Sequence, residues 1–249
     1  MGDVTQGALS LALFGFLFAG VVKGATGLGF SSTCLPFLVL ALGLDRAMPL
    51  VLVPSITSNL IVHFQAGEFR RTVTMFWPMF VATVPGLLVG LWLLTRADVQ
   101  VASAVLGLVL IVYSLWTLMH IDAALPAHWI PPLKVPVGAL TGLVNGLTGS
   151  QIMPVLPFLL SQPLERNIFL QSINISFTAS SLIVAIGLWT IGFLTPEIAV
   201  YSVAALIPMA AGITMGTVIR NKLDAVLFRK MVLILLIGLG AALALRGIT

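Results

Sequence analysis

Charge-free apolar runs alternate with short charged breaks along most of this chain. Residues 47–67, 72–94, 99–121, 167–196 and 198–219 contain no Asp, Glu, Lys or Arg. Each is long enough for a membrane-spanning helix, which needs about 20 largely apolar residues. The run at 231–245 is shorter and becomes sufficient by borrowing Phe228 and the aliphatic stems of Arg229 and Lys230. The pattern therefore predicts six ordinary spans, at 47–67, 72–94, 99–121, 167–190, 197–219 and 228–246.

Two further stretches fit no single span. Residues 135–164 are free of charge, and as one helix they would be about 45 Å long, against a hydrocarbon core of about 30 Å. Two full crossings need about 40 residues, more than this stretch holds. Gly146, Thr148, Gly149, Ser150 and Pro154 interrupt its centre. The predicted form is a hairpin of two half-helices meeting at a broken tip. Residues 4–44 read the same way, with a longer first leg and Lys23 at the break.

Basic residues bear on whether each pair turns back. If it does, Arg70, Arg71, Lys134, Arg166, Arg220, Lys222, Arg229 and Lys230 gather on one side, and Arg46, Arg96 and Arg246 on the other. Counting each pair as one crossing gives a more even split. The positive-inside rule favours the hairpins. It puts the richer side in the cytoplasm and both termini on the periplasmic or extracellular side.

The pattern also repeats. "GVVKGATG" at 20–27 is answered by "GLVNGLTG" at 142–149, "LPFL" at 35–38 by "LPFL" at 156–159, and "SNLIV" at 58–62 by "SSLIV" at 180–184. Residues 1–122 form a first repeat and 135–249 a second, joined by a linker at 123–134. Each unit is a hairpin followed by three crossings, an odd number, so the second copy is expected upside down relative to the first. The fold class expected is an all-α integral membrane protein with two inverted-topology repeats, each a broken-helix hairpin plus three transmembrane helices. Such repeats are a feature of many secondary transporters, with the substrate site near the midplane where broken helices meet.

Composition agrees and excludes other classes. Hydrophobic residues make up 59% of the 249 and charged residues 8%, where a soluble domain carries about 25% charge. The formal charge of +4 is a topology signal here, not one for nucleic acid. No basic residue precedes the first apolar run, so no cleaved signal peptide is expected. The single cysteine, Cys34, forms no intrachain disulfide or multi-cysteine metal site and reads as a buried apolar residue. No G-x-x-x-x-G-K-[ST] occurs, so no nucleotide is expected, and no cofactor is implied.

The polar residues inside the apolar runs are the candidate chemistry. Helix N-termini near 27–31 and 149–152 would point N–H groups inward, and two such ends at one shared aqueous cavity suit an anion. Lys23, Gly24, Thr26, Gly27, Gly29 and Ser31 mark the first tip; Asn145, Gly146, Thr148, Gly149, Ser150 and Gln151 mark the second. Lys23 supplies a full positive charge, unless it snorkels to the interface. The spans that follow carry Ser58 and Asn59, and Asn174 and Thr178. Serines at such depth also serve as helix–helix glue, whereas Asn59 and Asn174 are larger amides suited to substrate. The glycines alone also suit close packing. Every acidic residue lies at or near a loop, which leaves a divalent-cation site or an acidic proton relay unsupported. His63, the only histidine in a span, suits an interfacial or core role, or proton coupling.

The duplicated hairpin motif, the "LPFL" after each copy and the later "PGLLVG" at 85–90 resemble, in order and spacing, the TauE/SafE family of bacterial sulfite and organosulfonate exporters. The resemblance covers the whole chain, although "TGLGF" and "TGSQ" hold less glycine than the family pattern. It implies a multi-pass inner-membrane transporter of a small sulfur anion such as sulfite, thiosulfate or an organosulfonate. The residues ask independently for a small anion moved by alternating access without ATP. The alternatives are a permease for another small anion or a metal cation, a non-transporting membrane enzyme, and an assembly subunit. The lipid bilayer is the only other partner expected.

Overall fold

The computed structural model describes residues 5–119, 124–220 and 224–246. Asp3, Asp122, Lys222 and both chain ends lie outside the described residues, as do the end of the predicted span at 99–121 and the start of the linker. The described residues are mostly helical, and no strand occurs among them. Its helices are α1 (Gln6–Thr26), α2 (Phe30–Leu42), α3 (Leu44–Ala66), α4 (Phe69–Leu94), α5 (Val99–Met119), α6 (Ile130–Thr148), α7 (Val155–Leu160), α8 (Arg166–Thr190), α9 (Pro196–Ala204), α10 (Leu206–Arg220) and α11 (Ala225–Arg246). With α9 and α10 taken together as Pro196–Arg220, seven helices are long and apolar enough to cross a membrane. Trp77, Leu88, Leu108, Leu140, Ile186 and Ile207 are exposed, an outward apolar surface suited to lipid.

Both short pairs turn back on themselves. Phe37 of α2 packs edge-to-face on Phe14 and Phe18 of α1, with ring centroids 5.5 and 5.9 Å apart, and Gly29 lies beside Val22. In the second pair, the Leu125 N–H just before α6 donates to Ser161 O just after α7, at 2.8 Å. The repeated glycine makes each turn. Gly27 (φ +80°) and Gly149 (φ +75°) adopt the left-handed conformation, and their N–H groups donate to Lys23 O at 2.7 Å and Asn145 O at 2.8 Å. This is a glycine C-cap, and its side-chain-bearing partner one turn earlier is the candidate residue of each copy.

The legs are unequal, however. The first legs are not half-helices: α1 has 21 residues and α6 has 19, close to 30 Å of helix each. The return legs are shorter, at 13 residues for α2 and 6 for α7. The two tips lie beside different helices. Gly27 lies beside Leu170, one turn into α8, whereas Gly149 lies beside Met48, one turn into α3.

Glycine stripes then set the pairing between the halves. Gly20 and Gly24 of α1 lie against the backbone at Met209–Ile213, while Gly212 and Gly216 of α10 lie against Leu17–Ala25. Gly138, Gly142 and Gly146 of α6 meet Met79, Thr83 and Leu87 of α4 in the same manner. Residue numbers rise together along both contacts, so each first leg runs parallel to a span of the other half. α3 pairs with α8 and α5 with α11. The two halves thus exchange hairpins around a central α3–α8 pair.

Basic side chains separate by end. Arg71 pairs with Glu165 at 3.0 Å, Lys134 Nζ donates to Met75 O at 2.8 Å, and Arg166, Arg220 and Arg229 surround one cavity. At the opposite end Arg246 donates to Leu40 O at 2.9 Å, and Arg46 lies in the first turn of α3.

Candidate functional site

The site begins with a lysine that has nowhere polar to go except other helices. Lys23 sits one turn before the α1 cap, where α1 is wedged between α10 and the central pair, and is 3% exposed. Its ammonium donates to Asn59 Oδ1 of α3 at 2.7 Å and to Asn174 Oδ1 of α8 at 2.9 Å. Asn174 is oriented for this by its Nδ2, which donates to Leu170 O at 2.7 Å. Asn59 Nδ2 is buried with no hydrogen-bond partner among the described residues. Lys23 does not snorkel out.

A cavity of about 260 Å³ opens beside this group. Lys23, Gly24, Gly27 and Ser58 line it, together with Arg166 and Arg220, and among the described residues no Asp or Glu does. Three cations and no carboxylate make it electropositive, and low-dielectric walls strengthen that field.

The second copy of the motif builds a counterpart against α3. Asn145 takes the place of Lys23, Gly149 that of Gly27, and Ser181 that of Asn59, by the repeat's own alignment. Around Asn145 lies a cavity of only about 20 Å³, lined by Ser31, Ser55, Gly149, Gln151 and Ser181 among others. That is room for about one water molecule. Ser31 and Ser55 share a hydrogen bond of 2.6 Å, and Gln151 Nε2 donates to Ser181 Oγ at 2.8 Å. Asn145 is 1% exposed, yet neither its Oδ1 nor its Nδ2 has a partner among the described residues, and Gln151 Oε1 has none either. Leaving a buried amide unpaired is costly, which marks these side chains as polar groups available in this wall.

The tips therefore do not share one cavity: Gly27 lines the larger and Gly149 the smaller. Nor does a second helix N-terminus sit at 149–152. α7 starts only at Val155, and Gly149–Pro154 is not helical, with Pro154 and Pro157 restricting helix entry. Thr26 and Thr148 are spent on their turns. Thr26 Oγ1 donates to Val22 O and accepts from the Leu28 N–H, while Thr148 Oγ1 donates to Val144 O and accepts from the Ser150 N–H. Thr26 and Gly29 border a third cavity on the far side of the tip. Gly146 packs on α4. Ser150 Oγ and Thr178 Oγ1 are buried and unpartnered, and line neither polar cavity.

His63 Nδ1 lies 2.6 Å from Gln171 Nε2, with its ring edge-on to Phe64 and Phe69, outside the cavity linings. Sequence reasoning missed Arg166 and Arg220, which it counts only as topology markers. Their place at the ends of two polar-interrupted spans on the basic side was the available signal. Among the described residues, no three His, Cys, Asp or Glu side chains come together.

Cations, amides and hydroxyls without carboxylates recognise an anion. They include no base-activated nucleophile. No curated protein and no solved structure matches the chain. One family does, under the description "Sulfite exporter TauE/SafE", over residues 11–243. The long apolar helices, the doubled hairpins and that match across nearly the whole chain make this a multi-pass membrane protein of the TauE/SafE transporter family.

Proposed function

We propose that the chain is a secondary transporter or facilitator for a small sulfur-containing anion, sulfite, thiosulfate or an organosulfonate, across the inner membrane. The carrying observation is Lys23: an ammonium buried at the α3–α8 pair, held by two amide oxygens, beside an electropositive cavity lined by no carboxylate among the described residues. A buried charge without a counter-ion is expensive, and the transported anion supplies that counter-ion. The exchanged hairpins support an inverted repeat. The positive-inside rule puts the Arg166 end in the cytoplasm, so this conformation opens inward. The counterpart cavity around Asn145 is far smaller, and alternating access consists of exchanging which of the two is enlarged.

Flux of radiolabelled sulfite into proteoliposomes tests the reading. Wild type gives saturable, ATP-independent flux. Lys23→Ala lowers it by about ten- to a hundredfold, the worth of one hydrogen bond to a charged group. Undiminished flux in Lys23→Ala removes Lys23 from the site, and no flux of any sulfur anion in wild type removes the function.

A further inference from the structure

A third cavity, of about 500 Å³, lies on the opposite side of the first hairpin tip, within the range of small-molecule sites. It is two-faced. Val22, Leu156, Phe169, Val232, Leu233 and Leu236 give it an apolar wall, while Arg166, Arg220 and Arg229 stand around it from α8, α10 and α11. Among the described residues no carboxylate forms an ion pair with any of the three; Arg229 lies against Tyr113. The cavity occupies a gap between consecutive helices. α10 packs on α1 and α11 on α5, with little contact between the two. On these two helices Val218, Val226 and Met231 are exposed apolar residues.

We infer that this cavity is a binding site for an anionic phospholipid, its phosphate on the three arginines and an acyl chain along the apolar wall. Phosphate suits guanidinium groups, which offer paired N–H donors, and basic pockets between transmembrane helices on the cytoplasmic side take anionic headgroups. The apolar wall accounts for what a free inorganic anion leaves unexplained. Its place at the charged end of a gap facing the bilayer gives a lipid the depth and the approach that it needs. Arg166 and Arg220 face this cavity and the Lys23 cavity alike. A phosphate held here therefore sets the field in the neighbouring vestibule.

The test uses the full chain in nanodiscs of phosphatidylcholine with and without phosphatidylglycerol, reading lipid retained on the purified protein by native mass spectrometry, and the thermal midpoint. Wild type retains phosphatidylglycerol and gains stability from it relative to phosphatidylcholine. Each of Arg166→Gln, Arg220→Gln and Arg229→Gln lowers retention by about fivefold, the triple variant abolishes the preference, and Leu233→Trp, which fills the cavity, weakens it. Arg70→Gln, at the same end but outside the cavity, leaves it intact. Comparing the two lipids within each variant separates lost binding from a general loss of stability. Equal behaviour of both lipids in wild type, or a preference that survives in the triple variant, overturns the assignment. So does stabilisation by hexanesulfonate in place of phosphatidylglycerol, which would make the cavity a site for soluble organic anions.

Discussion

Lys23 and its two asparagines present a choice that a single substitution resolves. Amide oxygens solvate an ammonium without neutralising it, which leaves its charge available to an arriving anion. Asn59→Asp puts a fixed carboxylate beside Lys23, an isosteric change that pairs the charge permanently. The variant is expected to melt at a higher temperature and to bind sulfite at least tenfold more weakly, both read by thermal shift with and without the anion. If Lys23 serves only to tie α1 to α3 and α8, stability rises and the sulfite response stays as it was. The sequence singles out Lys23, Asn59 and Asn174 because polar side chains amid lipid-length apolar runs need a reason. It does not show that they touch, since 151 residues separate Lys23 from Asn174.

Between elements, the glycine stripes matter more than any hydrogen bond. A side chain at Gly24 would meet Ile213 O, and one at Gly146 would meet Leu87 O. Backbone on both sides leaves little room to give. Gly24→Val or Gly146→Val is expected to destabilise by about 1–3 kcal/mol or more, lowering the thermal midpoint of purified protein and its yield. Gly238 of α11 has open space around its Cβ direction; Gly238→Ala is neutral or stabilising by up to about 1 kcal/mol. A gain at Gly24 and Gly146 like that at Gly238 would mean that helix propensity, not close approach, decides these positions. Small-xxx-small spacing is visible in sequence, yet it names no partner. That α1 lies on α10 and α6 on α4 depends on which grooves face each other after assembly.

For the whole molecule, the two counterpart cavities differ by about tenfold in volume, at about 260 and 20 Å³. That difference predicts a labelling asymmetry. In a Cys34→Ala background, Ser58→Cys is expected to react with a membrane-impermeant maleimide from the Arg166 end, and Ser181→Cys from neither end. Sulfite slows the Ser58→Cys reaction. Rapid labelling of Ser181→Cys from the opposite end, under the same conditions, would contradict an inward-open resting state. The hairpin geometry explains why the tips are not neighbours. With first legs close to 30 Å, each tip lies against a different helix, and the residues one turn earlier, Lys23 and Asn145, line separate cavities.

Membrane residence, helical class and the doubling of the unit belong to the sequence alone. A chain with 59% hydrophobic and 8% charged residues cannot be wetted, and backbone in lipid must bond within helices. These constraints act on local composition and spacing, so a linear reading reaches them. The helix beside each tip, the separation of Gly27 from Gly149, and the entry of Arg166 and Arg220 into the Lys23 vestibule belong to the tertiary structure. They follow from helix contacts spanning most of the chain, where close glycine approach and leg length decide which side chains share a space. No local pattern carries that information.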